Sequence, residues 1–177
     1  MAEYKCYYVD GCEQSKVWQL FQRILLAYSD AFSLMFFRYS TDEAWSQSVS
    51  GIYRDLCQYK INEQKVTEWP GTRVLGDRHI YDMVMYRIEG ISFEIMDVLE
   101  RVDTLWKWDY PDYPMDICFY RNGTAWFASS AHEKWNAFYL QSGDDNLPLV
   151  SDIESLGVKL EYKGKVTEDQ MFHWNGR

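Results

Sequence analysis

The sequence lacks the long apolar runs and the leader that mark membrane and secreted proteins. Its longest purely apolar stretches, near residues 24–28 and 34–37, are far shorter than a bilayer-spanning helix. Residues 1–5 show no basic region followed by an apolar core. We therefore expect no membrane association and a cytoplasmic location.

Cysteine and histidine are also scarce. The four cysteines contain no Cys-x-x-Cys pair, and His79, His132 and His173 are too scattered in the sequence to predict a metal site. The glycines are dispersed without a phosphate-binding pattern, and neither Gly-x-Ser-x-Gly nor His-Glu-x-x-His occurs. The sequence therefore predicts free thiols, no metal and no cofactor, and it favours a non-enzymatic protein.

Positive charge is in short supply. The chain has 18 lysines and arginines against 27 aspartates and glutamates, which gives a formal net charge of -9. Such a chain repels a phosphate backbone, so we expect no binding to nucleic acid, whereas a basic protein would be attracted. The alternative interpretation is that the acidity serves solubility alone.

Aromatic residues, in contrast, are abundant. They make up 18% of the chain, and hydrophobic residues make up 47%, which excludes a disordered protein. With 177 residues the chain is long enough for one substantial core, and we expect residues 1–177 to form a single domain. Most of the rings are expected in that core, although some could form a recognition surface.

Residues 115–130 predict a β-hairpin at the centre of the fold. Two aromatic-rich runs flank Asn122-Gly123, a pair that suits a two-residue hairpin turn. Regular pairing around this turn places Phe119 opposite Trp126 and makes both faces of the hairpin largely apolar. A strand pair that is covered on both faces belongs inside a domain.

Apolar periodicity predicts the other elements. The predicted helices lie near residues 14–28, 42–57 and 91–106, with a short one at 148–156 and a cap for the second at residues 41–43. The further predicted strands lie at residues 4–9, 32–39, 79–88, 135–140 and 158–162. Residues 58–72 are polar and predict a surface loop. The fold class is therefore α+β, with a mostly antiparallel sheet.

The exit of the hairpin is the first candidate site. Ser129, Ser130, His132 and Glu133 crowd together there, and a histidine beside a carboxylate can act as a general base. Their spacing matches no known catalytic pattern, so a structural role for His132, as a latch at the sheet edge, is the favoured interpretation.

The second candidate site consists of aromatic residues in predicted loops or at element ends. These residues could anchor a protein interface there or pack over the edges of the core; they are Trp69, Trp106, Trp108, Tyr110 and Tyr113. Acidic residues in two turns imitate a hard-cation site but lack the spacing of a calcium loop, so we expect them to be solvated. These residues are Asp109, Asp112, Asp116, Asp144 and Asp145.

Two of the motifs carry a resemblance. Trp69-Pro-Gly-Thr72 and the run Tyr-Pro-Met-Asp-Ile-Cys-Phe-Tyr-Arg-Asn-Gly-x-x-Trp-Phe-x-Ser-x-Ala-His-Glu at residues 113–133 resemble a group of uncharacterised small bacterial proteins, over roughly residues 13–140. The group has no assigned activity, so the resemblance implies no catalytic residue. The acidic, single-domain character is also similar in type, though not in motif, to immunity proteins of bacterial toxin systems.

The favoured hypothesis is a non-enzymatic cytosolic protein that binds another protein, such as an immunity-type inhibitor of a basic toxin. Its predicted binding residues are Trp69, Trp106, Trp108, Tyr113, His132 and Glu133. The alternative is a hydrolase-like or small-ligand-binding enzyme with a site near His132 and Glu133. A third hypothesis is a subunit that self-associates through its aromatic patch.

Overall fold

The predicted α+β class is confirmed by a computed structural model, which describes residues 2–76, 78–90, 92–144 and 148–174. Ile91, where the third predicted helix begins, and Asp145, in the second acidic turn, lie outside the described residues. The helices are α1 (Ser15–Ala27), α2 (Gln47–Asp55), α3 (Phe93–Leu99) and α4 (Pro148–Ser155). The strands are β1 (Glu3–Asp10), β2 (Ala31–Arg38), β3 (Lys60–Lys65), β4 (Glu68–Trp69), β5 (Thr72–Arg73), β6 (Ile80–Arg87), β7 (Met115–Arg121), β8 (Thr124–Ser130), β9 (Trp135–Gln141) and β10 (Lys159–Thr167). Across the described ranges, no helix has both the length and the apolar character needed to cross a membrane.

Eight strands form one antiparallel sheet in the order β10-β1-β9-β8-β7-β2-β6-β3. The predicted hairpin, β7 with β8, lies in the middle of that order and continues into β9 as a meander. Strands in the middle of a sheet that is covered on both sides need apolar residues on both faces. The central position predicted for the hairpin is therefore confirmed.

Different elements cover the two faces of the sheet. Helices cover the first face, where Trp18 and Phe21 of α1 pack on Phe127 of β8 with ring centroids 6.2 and 5.4 Å away. On the second face, Trp69 from the β4–β5 hairpin and Phe172 from the C-terminal segment pack on the sheet residues of a smaller apolar cluster. Part of the candidate site described below lies at one end of this second face.

The predicted register of the central hairpin is wrong beyond its first pairs. A bulge separates Phe119 from Tyr120, so Phe119 lies opposite Phe127 and not opposite Trp126. The extra residue turns the two consecutive rings of Trp126 and Phe127 toward the helix-covered face, where both are buried. Trp126 is fixed there because its indole Nε1 donates a hydrogen bond to Ser29 Oγ at 2.8 Å.

The second helix begins later than predicted. It starts at Gln47, because the Oγ of Ser46 accepts a hydrogen bond from the amide of Val49 at 3.2 Å and caps the helix at that point. The cap predicted at residues 41–43 is therefore wrong, and these residues precede the helix as a turn.

The third helix is shorter than residues 91–106. It ends at Leu99, and the chain turns before a 3-10 helix at Leu105–Lys107. Val102 and Leu105 remain fully buried in the same core although they lie outside the α-helix. Their apolar spacing therefore imitated a continuous helix.

The surface loop predicted at residues 58–72 is also wrong, because it contains three strands. Lys60–Lys65 forms the edge strand β3, and Glu68–Trp69 pairs with Thr72–Arg73 as a two-stranded hairpin. An edge strand with one side in water tolerates the polar residues that suggested a loop.

The turn of the β4–β5 hairpin lies against the sheet at a point where only glycine fits. Gly71 has φ of +81°, and a Cβ atom on it would lie 2.2 Å from Cζ3 of Trp135. The close approach of backbone to ring holds the Trp-Pro-Gly-Thr turn on the second face.

We predict that Gly71→Ala destabilises the protein by about 2–4 kcal/mol, from positive-φ strain together with overpacking against Trp135. Gly11→Ala is the matched control, because Gly11 has φ of +86° but a Cβ atom on it would meet nothing within 4 Å. In urea unfolding, Gly11→Ala should lower the free energy of unfolding only by the backbone strain, about 1–2 kcal/mol. Equal losses in the two variants would contradict the close contact at Gly71.

Candidate functional site

Antiparallel pairing brings the ends of four strands together at one end of the sheet. The last residues of β2 and β8 and the first residues of β6 and β7 meet there, and the loop at residues 106–113 passes beside them. Two clefts open at this end and share Asp109 and Tyr110. The aromatic cleft, of about 370 Å³, is lined by Phe37, Tyr39, His79, Tyr81, Asp109, Tyr110, Met115 and His132. The loop cleft, of about 460 Å³, is lined by Ser48, Trp106, Lys107, Asp109, Tyr110, Asp112 and Tyr113.

The wall of the aromatic cleft is a cluster of rings around Phe37. Phe37 and Tyr39 point the same way because they are two residues apart at the end of a strand. Tyr81 lies opposite Phe37 in the register of β2 with β6, with ring centroids 5.1 Å apart. Tyr39 and Tyr110 each meet Phe37 edge to face, at 4.9 and 4.8 Å. Strand pairing thus builds this wall from residues distant in the sequence.

Glu43 fixes the rim of the aromatic cleft. Its carboxylate accepts a hydrogen bond from the hydroxyl of Tyr110 at 2.7 Å and another from the amide of Tyr39 at 2.5 Å. The hydrogen bond from Tyr110 is the main cause that lowers the pKa of the Glu43 carboxyl. Glu43 therefore remains an anion that ties the two exposed edges of the ring cluster together.

Asp109 is a half-buried carboxyl between the two clefts. Burial raises its pKa, while a hydrogen bond from the amide of Tyr110 and the electrostatic influence of His132 lower it. The amide hydrogen bond measures 2.9 Å. A carboxylate in such a place is incompletely hydrated, so a cation that enters either cleft gains more from it than from an exposed carboxylate.

Asp116 is buried under the site and is not solvated as predicted. One of its carboxyl oxygens accepts a hydrogen bond from Trp69 Nε1 and the other accepts one from the amide of Ala131, both at 2.9 Å. Burial raises the pKa of this carboxyl to about 6, with smaller influences from both hydrogen bonds, from Asp109 and from His132. Its side chain is buried because Trp69 folds over it from the β4–β5 hairpin, a segment that the sequence predicts as part of a surface loop.

The structure brings most of the predicted binding residues to this end of the sheet, but it exposes only some of them. Trp106 and Tyr113 line the loop cleft, and His132 lines the aromatic cleft. Trp69 and Trp108 are 2% and 0% exposed, so their rings belong to the core, Trp69 on the second face and Trp108 on the helix-covered face.

The other residues at the hairpin exit do not join the clefts. Glu133 is exposed in the turn after β8 and lines neither of them. Ser129 is fully buried, and its hydroxyl donates a hydrogen bond to the carbonyl of Ile117 at 2.7 Å. The histidine is thus the one member of the Ser-Ser-Ala-His-Glu exit that lines a cleft.

Sequence reasoning missed the ring cluster itself. The sequence predicts one strand that contains Phe37 and another that contains His79 and Tyr81, and it gives no reason to connect them. The period-two spacing of Phe37 and Tyr39 was the available signal, since it places both rings on one face. Recognising the cleft also requires the pairing of β2 with β6, which the sequence does not specify.

A further cleft, of about 450 Å³, lies between the β4–β5 hairpin and residues 169–173. Ala125 and Ala128 of β8 lie among its lining residues, and their small side chains leave this space open. Several of its polar groups already have partners. Nε of Arg73 lies 3.9 Å from Oε2 of Glu68. The two ring nitrogens of His173 form hydrogen bonds with the hydroxyl of Thr124 and with the carbonyl of Glu168. The cleft is therefore a weaker candidate than the two that meet at Asp109.

Comparison with known proteins found no matching family model, no matching curated protein and no matching solved structure. The resemblance to uncharacterised small bacterial proteins therefore stays a prediction. Within the described ranges, no three His, Cys, Asp or Glu side chains are grouped so that they could hold a metal ion. The clefts offer carboxylates, imidazoles and aromatic rings, and the loop cleft adds the hydroxyl of Ser48 and the ammonium group of Lys107.

We predict that the Trp69 indole Nε1–H resonance shifts with a midpoint near pH 6, because Asp116, the acceptor of its hydrogen bond, has a pKa of about 6. The matched control is Trp126, whose indole donates to the neutral hydroxyl of Ser29. Its resonance should not move over this range. Asp116→Asn should abolish the Trp69 titration, and an unchanged midpoint in that variant would contradict the assignment.

The same group makes stability depend on pH. The folded protein holds the proton of Asp116 more tightly than the unfolded chain, whose aspartates titrate near about 4. This stabilisation is therefore complete below about pH 4 and is lost as the pH rises through about 6, by about 1–3 kcal/mol. Urea unfolding should show this fall for the natural chain and a smaller one for Asp116→Asn. Identical pH profiles would contradict it.

Proposed function

We propose that the protein binds another protein of basic character through the surface that contains the aromatic cleft and the loop cleft. In such a complex this protein would be an acidic, cytosolic, immunity-type inhibitor, and its partner would be a basic toxin. The observation that carries the proposal is the half-buried carboxyl of Asp109, set between two clefts whose walls are largely aromatic.

Charge supports a basic partner. The rim of the two clefts carries the carboxyl groups of Glu43, Asp109 and Asp112. Lys107 also lines the loop cleft, but its ammonium group lies 2.8 Å from the carboxylate of Asp103 and is thereby compensated. The surface is therefore acidic within a chain of net charge -9, and such a field attracts and orients a basic protein.

Aromatic exposure supports a protein partner. Tyr39 is 55% exposed at the rim, and Trp106, Tyr110 and Tyr113 are partly exposed. Tyrosine and tryptophan bury a large area at low cost in side-chain entropy, and they are enriched among the residues that dominate binding energy. Rings held by Glu43 and by the core behind them are suitably preorganised for this role.

A second candidate function is an enzyme or a small-ligand receptor at the same clefts. The observation in its favour is that two carboxyls with raised pKa, Asp109 and Asp116, lie in electrostatic contact with His132. Turnover of a simple ester or phosphate substrate that disappears in His132→Ala would support it. If a panel of such substrates is not consumed, the binding proposal stands alone.

The binding proposal predicts which variants lose a partner. The immobilised protein, exposed at low salt to a lysate of its own cells, should retain a basic protein that high salt releases. Tyr39→Ala and Asp109→Asn should each reduce its capture by about tenfold or more, because both remove central contacts. Quantitative mass spectrometry of the retained proteins provides the measurement.

Two variants serve as matched controls. Tyr162 is also 55% exposed, but it lies on the edge strand β10, which lines neither cleft. Asp152 is exposed on α4, which lines neither cleft. Tyr162→Ala and Asp152→Asn should therefore capture the partner as the natural chain does. A protein that all the variants retain equally, or the absence of any salt-sensitive capture, would count against the proposal.

A further inference from the structure

We infer that the aromatic cleft is a receptor for the guanidinium group of an arginine side chain. The inference names the chemistry recognised by the surface proposed above, and it rests on the proposed function only in that the arginine belongs to a protein partner. The features that carry it are the size of the cleft, the arrangement of its rings and the position of the Asp109 carboxylate.

The size of the aromatic cleft suits a single side chain. Its volume of about 370 Å³ lies at the lower end of the range of small-ligand pockets, which is about 300–1,000 Å³. Its floor and walls come from strand ends and a braced loop, so the space does not depend on a free segment. One long side chain that enters from a partner surface therefore fits within it.

The ring arrangement favours a cation. Tyr39 meets Phe37, His79 and Tyr110 at interplanar angles of 80°, 87° and 88°. In an edge-to-face pair one ring presents its edge to the face of the other, so Tyr39 is stacked face to face on none of these three rings. Ring faces carry the negative part of the aromatic quadrupole, and they attract cations that lie within about 6 Å of the ring centre.

This chain already makes the same interaction elsewhere. The guanidinium of Arg38 lies 5.2 Å from the ring centre of Trp45, on the other face of the strand that carries Phe37. There the charge of Arg38 is balanced by Asp82, at 3.1 Å. The internal site thus combines a ring and a carboxylate around one guanidinium, which are the two components that the aromatic cleft presents.

Asp109 supplies the carboxylate of the cleft. No lysine or arginine lines the aromatic cleft in the part of the chain that the structure describes, so the charge of Asp109 has no such cation beside it there. Because Asp109 is half-buried, its attraction for an incoming cation is screened less than it would be at an open surface. A planar guanidinium can stack flat on a ring and bond a carboxylate through paired N–H donors at the same time. An ammonium group can make both contacts, as that of Lys60 does over the ring of Tyr53 and beside Glu63, but it has neither the flat face nor the paired donors.

A titration with a small probe tests the inference without a protein partner. The probe is N-acetyl-arginine methylamide, and its neutral isostere N-acetyl-citrulline methylamide is the control ligand. In amide NMR spectra, the arginine probe should shift residues 39, 110 and 132 and approach saturation in the millimolar range, as expected for one side chain. The citrulline probe should bind about tenfold more weakly or not at all, because it lacks the charge.

Variants locate the probe. Asp109→Asn and Tyr39→Leu should each weaken binding of the arginine probe by about threefold to tenfold, since one removes the charge and the other a ring. Asp152→Asn and Tyr162→Leu should leave it unchanged. Well-dispersed spectra of the free variants show that they fold, and if Asp109→Asn fails this check, Tyr39→Leu decides.

Equal binding of arginine and citrulline, shifts confined to another surface, or full binding by the folded variants would each overturn the inference. Its failure is distinguishable from failure of the proposed function. If the probe binds but the capture experiment finds no basic protein, the receptor stands and the protein partner falls. If capture depends on Tyr39 while the probe does not bind, the interface stands and the arginine receptor falls.

Discussion

The site at the end of the sheet depends on one buried carboxyl group. Asp116 joins the β4–β5 hairpin, through Trp69, to the exit of the central hairpin, through the amide of Ala131. If both hydrogen bonds were lost, the Asp116 carboxylate would be a buried charge without partners. Such a charge destabilises a protein far more than an exposed carboxylate does. The segment that carries His132 is thus held in place by a group from the start of β7, and the nearby charge of Asp109 is one of the influences that raise the pKa of that group.

Above this support, the fold assembles a surface from parts that are weak alone. Phe37 and Tyr81 contribute rings from paired strands, Tyr110 adds one from the loop, and Glu43 ties the rim. Each contact is worth little, but together they hold aromatic faces and a poorly hydrated carboxylate around one cavity. Such preorganisation reduces the entropy that binding would otherwise lose. An acidic chain with this surface suits a basic partner, which joins the charge of the sequence to the geometry of the site.

The sequence predicted those parts of the molecule that local patterns determine. The Asn122-Gly123 turn defined the central hairpin, and apolar periodicity located α1 and most strands. It did not reveal the bulge at Phe119, because both registers bury apolar rings and only the packing against α1 distinguishes them. The sequence did not predict the burial of Asp116 either, because that burial depends on Trp69, 47 residues earlier in the chain. Sites made by long-range pairing share this property, whereas composition showed only that the whole chain is acidic and rich in aromatic residues.

In the proposed complex, the aromatic cleft holds a guanidinium between its rings and Asp109. The most direct measurement is the set of intermolecular nuclear Overhauser effects between the side-chain methylene protons of a bound arginine probe and the protein. We expect effects to the ring protons of Tyr39 and Tyr110, which meet edge to face at the rim with their centroids 5.5 Å apart. Effects to the rings of another surface, with none to these two tyrosines, would contradict it.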